Sequence, residues 1–408
     1  RIPSGGMSPA IELGDRVVVE GLSYASRAPL RFEVVLFDFP LDRSLIFVKR
    51  IIGLPGERIR FRHGDLWRQA GHEGRWVIVP RPPVLLVSSW KYVGDQTWRT
   101  SSTGWTAEGR SVFAQGDGEA RFGGNGEIWN RAGDGPPSAA SWNRRGGEFA
   151  DSFHVGDLRV AARVRAGSSC SSTAIELREG ESRYRFTLPG PGAPESACPV
   201  IEASSSAAPA DAPLARVNGA ARRLPADRTV RVVVENLDDV LTLRWNGEPL
   251  CRLEIDPSAD QRSGVTLFAT GGEAAFEDLE VSRDTFFVGD GPEPWDWTVP
   301  DECYFVLGDN LLGSEDSRSW TAERYRVASG EGEPRVVEGQ HRPGENPTRW
   351  LDGSGDRYLE FRDDSGQLHT LLEDDAERLE PVAAPFVPSS HIWGRALVAV
   401  GRGRLQRL

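Results

Sequence analysis

The chain of 408 residues has one methionine, two lysines and four cysteines, and each scarcity excludes something. Cys170, Cys198, Cys251 and Cys303 show no CxxC spacing, which argues against a structural zinc site. Cys170 and Cys198 have the separation to pair across a loop in an oxidising compartment. The six histidines (His63, His72, His154, His341, His369, His391) form no triad or metal spacing with nearby carboxylates, so no metal and no cofactor is expected. No apolar run approaches the ~20 residues of a membrane helix, and the segment reads as water-soluble. Positive charge is also short: 48 Lys and Arg face 60 Asp and Glu, a formal net charge of −12. That balance argues against nucleic acid as the main partner. Met7 is the only methionine and residue 1 is Arg, so an N-terminal portion is expected to have been removed or not captured. Lys49 and Lys91 are the only lysines. Whatever bias favoured Arg elsewhere spared two positions.

What is present is globular and mostly β. Hydrophobic residues make up 39% and charged residues 26%, with 45 Gly and 28 Pro breaking the chain into short alternating runs. The length suits two or three domains. Residues 11–20, 31–39, 45–52 and 57–68 read as short strands of a small antiparallel barrel or folded sheet. From about 95 the texture changes. A Gly-, Ser-, Trp- and Asn-rich stretch (101–150) precedes clear period-2 strands at 157–166, 172–179, 182–188, 229–237, 240–255, 264–270 and 274–283. Asn246-Gly247 is a hairpin signal, and the whole reads as a β-sandwich. Residues 189–227, rich in Pro, Ala and Ser, are expected to form a long loop. The apolar strands CYFVL (303–307) and IWGRALVAV (392–400) return to the first texture, separated by a polar stretch at 321–385. The expected organisation is therefore 1–94, an inserted sandwich at 95–285, and 286–408 with a small insert at about 321–385.

Four segments carry chemistry: PSGGMSPAIELGD (3–15), FVKRIIGLPGE (47–57), GDNLLGSEDSR (308–318) and WGRA (393–396). Alone, each reads as a turn, a solvated charge or an Asx-rich loop. Together and in this order they resemble type I signal peptidases, serine endopeptidases that remove secretory signal peptides. The resemblance covers about 1–70, 295–320 and 386–400. It implies an antiparallel β catalytic domain with a Ser–Lys dyad, in which a neutral lysine takes the proton of the nucleophilic hydroxyl. Such a lysine must have its pKa lowered by burial, and Arg cannot replace it. Lys49, within the apolar run LIFVKRII, falls on the general-base position. Lys91 matches no motif and reads as surface. Ser314 falls on the Ser that orients the amine, Asp316 and Arg318 on a structural ion pair, and Asp309 and Asn310 on the loop that shapes the site. Ser4 falls on an oxyanion-hole hydroxyl, and Met7 and Pro9 on the segment beside the substrate groove.

The nucleophile position departs from the pattern: it is Gly6. Ser4 and Ser8 are neighbouring hydroxyls, but attack by either needs a two-residue shift of the loop. Recent loss of activity, deliberate inactivation and a sequence error all fit Gly6. The resemblance implies signal peptides of secretory preproteins as substrates. It also implies an N-terminal anchor in the cytoplasmic membrane, with this domain on the extracytoplasmic side. The chain is expected to bind such peptides and cleave them slowly. The alternative is a membrane-anchored binding protein on a retired protease scaffold, with the sandwich holding a glycan or protein. The sandwich resembles laminin-G or concanavalin-like modules; Trp98, Trp105, Trp129 and Trp142 read first as edge-of-core aromatics, with stacking on sugar rings as the alternative.

Overall fold

A computed structural model describes residues 1–71, 74–80, 91–93, 97–100, 102–122, 129–130, 153–205, 214–256, 263–284, 287, 295–311, 313–329, 332–341, 346–401 and 403–408. Those residues form strands and three short 3-10 turns. No helix among them is long and apolar enough to cross a membrane. The mostly-β fold, with a sandwich inserted into an antiparallel β domain, is therefore what the chain adopts.

The first sheet is assembled from both ends of the chain. Its order is Arg16–Glu20, Ile392–Gly401, Val34–Phe39, Asp42–Gly53, Cys303–Leu307 and Phe386–Pro388, with Arg404–Arg407 also paired to Ile392–Gly401. A four-stranded sheet (Trp295–Thr298, Arg58–Arg62, Asp65–Ala70, Arg75–Ile78) adjoins it in sequence. The run 57–68, expected as one strand, is a hairpin. His63 and Gly64 take positive φ and reverse the chain, because only a two-residue turn lets both Phe61 and Leu66 face the same core.

The sandwich has two sheets. One runs Glu248–Glu254, Val240–Trp245, Val230–Leu237, Leu158–Ala166, Glu273–Arg283, Ser111–Gln115 and Trp105–Glu108, with Lys91–Tyr92 beside Glu273–Arg283. The other runs Ala215–Asn218, Val200–Ser205, Ser182–Pro189, Ser172–Glu179, Ser263–Thr270, Gly118–Phe122 and Trp98–Thr100. Alternate residues of both sheets meet in one core, among them Val160, Val232, Leu241, Phe186, Ile175 and Leu267. That is the packing expected where each strand hides one face. Asn246 and Gly247 turn the predicted hairpin with positive φ.

One expectation is corrected and two open alternatives are resolved. Residues 189–227 are not wholly loop: Val200–Ser205 and Ala215–Asn218 pair there, and Ile201 is fully buried. Two apolar residues facing the core outweigh the surrounding Pro, Ala and Ser. Trp98 and Trp105 are core residues, as their first reading has it. Trp142 and the Trp129 side chain lie outside the described residues, as do His72 and the side chains of His154 and Lys91. Finally, all four thiols are free. Cys170 points into the sandwich core and does not pair with Cys198. The polar stretch after residue 320 folds into two small three-stranded sheets around Tyr325, Val327, Val337, Leu359 and Phe361.

Candidate active site

The long strand Asp42–Gly53 positions the site. Its second half is buried, and Lys49 pairs with Val35 while Arg50 pairs with Leu307 at the end of Cys303–Leu307. That register delivers Gly308, Asp309 and Asn310 beside Lys49. The loop then turns back: Ser317 N–H donates to Val306 O at 3.2 Å, and Val306 N–H donates to Ser317 Oγ at 2.9 Å. Ser314 is thereby laid over Gly308. A Cβ on Gly308 would collide with Ser314 Oγ and Gly6 O, so glycine is the residue that allows this approach.

The segment 5–15 closes over the loop. Asn310 N–H donates to Gly6 O at 3.1 Å, and Asn310 Nδ2 donates to Gly5 O at 3.3 Å. The turn is internally bonded, with Ser8 N–H to Gly5 O and Ile11 N–H to Met7 O. Met7 is 3% exposed and packs with Ala10, Ile11, Val34, Ala396 and Ala399. Its side chain thus supports the turn from beneath. Pro9 is half-buried and Ser4 exposed. The Ser8 hydroxyl donates to the Glu12 carboxylate at 3.0 Å, which commits it to its own turn.

At the centre, Lys49 Nζ donates to Ser314 Oγ at 2.6 Å. Both residues are buried, at 7% and 9% exposure. Burial pushes the Lys49 amine down to about 8. The Asp316 carboxylate opposes that shift, and the Arg318 guanidinium adds to it. A Cβ built on Gly6 would stand 3.3 Å from Lys49 Nζ and 3.5 Å from Ser314 Oγ, with nothing closer. Gly6 does not have positive φ, so a side chain there meets no backbone strain.

Asp316 is fully buried below the site. Burial alone would raise its pKa; Arg318, held by two 2.8 Å bonds, and Lys49 lower it instead. Gly308 N–H also donates to Asp316 Oδ2 at 3.0 Å, and Arg318 Nη2 reaches Leu311 O at 2.7 Å. Asp309 is held by a residue that sequence reasoning missed. Arg50 grips its carboxylate through Nε and Nη2, both at 2.7 Å, and sends Nη1 to Phe32 O. The signal was the Lys49-Arg50 dipeptide itself, in which only the lysine drew attention. Arg404 was missed too. Its Nη1 donates to Pro9 O at 2.8 Å and its Nη2 to Asp15 at 2.7 Å, tying the Gly6 turn to the last strand. Nothing in the RGRL stretch that holds it marks that role.

The arrangement offers a hydroxyl-lined, partly neutral amine facing an unsubstituted residue 6. A lone amine base beside a hydroxyl is the apparatus of acyl transfer through serine. Among the described residues, Asp65, Asp157 and Asp238 gather their oxygens within 4.8 Å of one another. The Asp238 N–H is bonded to Asp157, and nothing there indicates an ion.

Residues 1–75 match the family model described as signal peptidase, peptidase S26. Over 72 residues the chain is 40% identical to a probable signal peptidase I-2 of Synechocystis sp., covering 16% of this chain and 33% of that one. It is 37% identical over 73 residues to a signal peptidase I of Buchnera aphidicola (15% of this chain, 23% of that one). It is 34% identical over 73 residues to one of Pseudomonas fluorescens (15% and 26%). The chain thus spans a quarter to a third of the length of these relatives. Ser314, Asp316 and Arg318 lie beyond the family match, so their place in the site is a matter of geometry. Among solved structures, a carbohydrate binding module CBM66 from Bacillus subtilis aligns at 9% identity and a TM-score of 0.29, over 46% of this chain and 97% of that one. That likeness is too low to assign anything to the sandwich.

Proposed function

We propose that this chain, whose residues 1–75 match the signal peptidase, peptidase S26 family model, holds a signal-peptide site whose base machinery is in place and whose nucleophile is missing. Lys49 is the general base, Ser314 orients its amine, and Gly6 stands at the nucleophile position. Ser4 and the backbone N–H of residue 6 supply the oxyanion hole. The substrate is the C-region of a signal peptide with small residues of the Ala-x-Ala kind, docked as an added strand. An anchor in the cytoplasmic membrane, with this domain on the extracytoplasmic side, is carried over from the family.

One observation carries the reading: the Cβ position of residue 6 lies 3.3 Å from Lys49 Nζ. A serine hydroxyl there would be within hydrogen-bond reach of the amine, with Lys49 Nζ yielding by a few tenths of an ångström. The test is cleavage of an Ala-x-Ala signal-peptide substrate in detergent by this chain and its Gly6→Ser form. Gly6→Ser is expected to cleave at least ~1,000-fold faster than the parent, the scale on which nucleophile loss is felt. Equal, negligible rates would sink the reading.

A second reading is favoured by Gly6 itself and by an open depression of about 430 Å³ on the sandwich. Arg110, Arg163, Arg231, Asn246, Asp278 and Glu280 line it. Here the chain is a binding protein and the sandwich holds a glycan or protein. Peptide cleavage by neither form, with ligand captured by the isolated sandwich face, would favour it.

A further inference from the structure

Among the described residues, the hydroxyl bonded to Lys49 Nζ is that of Ser314. At 2.6 Å from a partly neutral amine, this pair has the separation of a nucleophile and its base. In an enzyme with a side chain at residue 6, Ser314 would lie behind it. Here no side chain intervenes: the position of a Cβ on Gly6 is 3.5 Å from Ser314 Oγ and 3.8 Å from Ser314 Cα. Ser314 Oγ is therefore set deeper than a hydroxyl on residue 6 would be. Of the neighbouring hydroxyls, Ser8 is bonded to Glu12 and Ser4 is exposed, whereas Ser314 is bonded to the amine.

We propose that Ser314 is the working nucleophile of this chain toward small activated acyl donors, such as phenyl esters, approached past Gly6, which puts no side chain in front of it. This rests on the reading of Lys49 as a general base. In the neutral-amine form, the Ser314 hydroxyl donates to Nζ. Ser314 Oγ bonds to the ester carbonyl carbon as its proton passes to Lys49. The carbonyl–phenolate bond breaks and phenolate departs, leaving an acyl-Ser314 ester. The Lys49 ammonium releases its proton to solvent; water then attacks that ester, giving a proton to neutral Lys49, which passes it to Ser314 Oγ as the acyl–oxygen bond breaks, and the carboxylic acid and free Ser314 are released. A peptide docked as a strand presents its carbonyl to residue 6. For it, Ser314 is out of line by an ångström-scale distance, which costs orders of magnitude. A small ester is free of that constraint.

The probe is p-nitrophenyl acetate, with released nitrophenolate followed and acetylation sites mapped by mass spectrometry after rapid acid quench. The scarcity of lysine helps, since Lys49 and Lys91 are the only side-chain amines that could be acetylated instead. The expected result is an acetyl group on Ser314 in the parent chain. Lys49→Met should reduce it at least ~100-fold with Ser314 still present, the scale of general-base assistance. Ser314→Ala should abolish the burst, and circular dichroism would show both variants folded. Gly6→Ser should move the acetyl group to residue 6. Acetylation of Lys49 or Ser4 with Ser314 bare, or no burst from a folded parent, would overturn the inference. Failure here and failure of the signal-peptide reading are distinguishable. Gly6→Ser cleaving peptide while the parent leaves Ser314 bare defeats only this inference. Acetyl-Ser314 in the parent with no peptide cleavage by Gly6→Ser defeats only the peptidase reading.

Discussion

Lys49 is held at odds with its own charge. In the fold its amine titrates near 8, against an ordinary value of 10.5, because burial disfavours the ammonium. Peptide cleavage by Gly6→Ser should therefore rise with pH and reach half of its plateau near pH 8, a profile readable in kcat/KM. The same displacement acts on stability. Between pH 8 and 10.5 the folded chain binds fewer protons at Lys49 than the unfolded chain does, so stability contributed by this residue increases with pH across that window. Below pH 8 the cost is complete, about 3 kcal/mol. Lys49→Met should raise the urea midpoint at pH 7, and that advantage should shrink as pH climbs from 8 toward 10.5. A midpoint difference independent of pH would mean that the amine titrates normally. This much was legible in sequence, since a lysine inside LIFVKRII is a desolvated lysine if the run is a strand. Arg50, Asp309 and their bidentate grip were not. An ion pair 259 residues apart along the chain leaves no local trace.

At the scale of elements, the site is a junction between a strand end and two loops, and one of those loops is tied from a distance. Arg404, on the strand Arg404–Arg407, bonds the carbonyl of Pro9 and the carboxylate of Asp15. In a Gly6→Ser background, Arg404→Ala should lower kcat/KM for the peptide by roughly tenfold while costing only about 1–3 kcal/mol of stability. The discriminating readout is kcat: a loosened turn lowers it, whereas a purely structural loss would leave kcat per folded molecule unchanged. Long periodic strands were readable here because alternation survives any context, as in LRVAARVRA. The strand Val200–Ser205 was not, because two core-facing residues are too few to show a period amid Pro, Ala and Ser. The hairpin at His63-Gly64 was hidden for a different reason: the strands on either side of it are similar in composition.

For the whole molecule, the separate cores matter more than the residue count. The sandwich core and those of the first sheet and its neighbour are distinct clusters. Such a chain is expected to unfold in more than one step. Joining residue 80 to residue 287 through a Gly/Ser linker removes the sandwich and Lys91 with it, so Lys49 becomes the sole lysine. Its single side-chain amine resonance should still titrate near 8 by NMR. A midpoint near 10.5 would show that the sandwich is needed to keep the site dry.

The way the sandwich is attached has a consequence of its own. Its first strand, Lys91–Tyr92, lies antiparallel to the end of its last, with Lys91 opposite Arg283 and Tyr92 opposite Ser282. The chain enters and leaves through one doorway the width of a strand pair. Nearly two hundred residues (from 91 to 283) thus join the fold through a strand pair, and Asp157 and Asp238 add a second contact at Asp65. A module plugged in this way can diversify, be exchanged or be shed without altering the register of the sheet that carries Lys49.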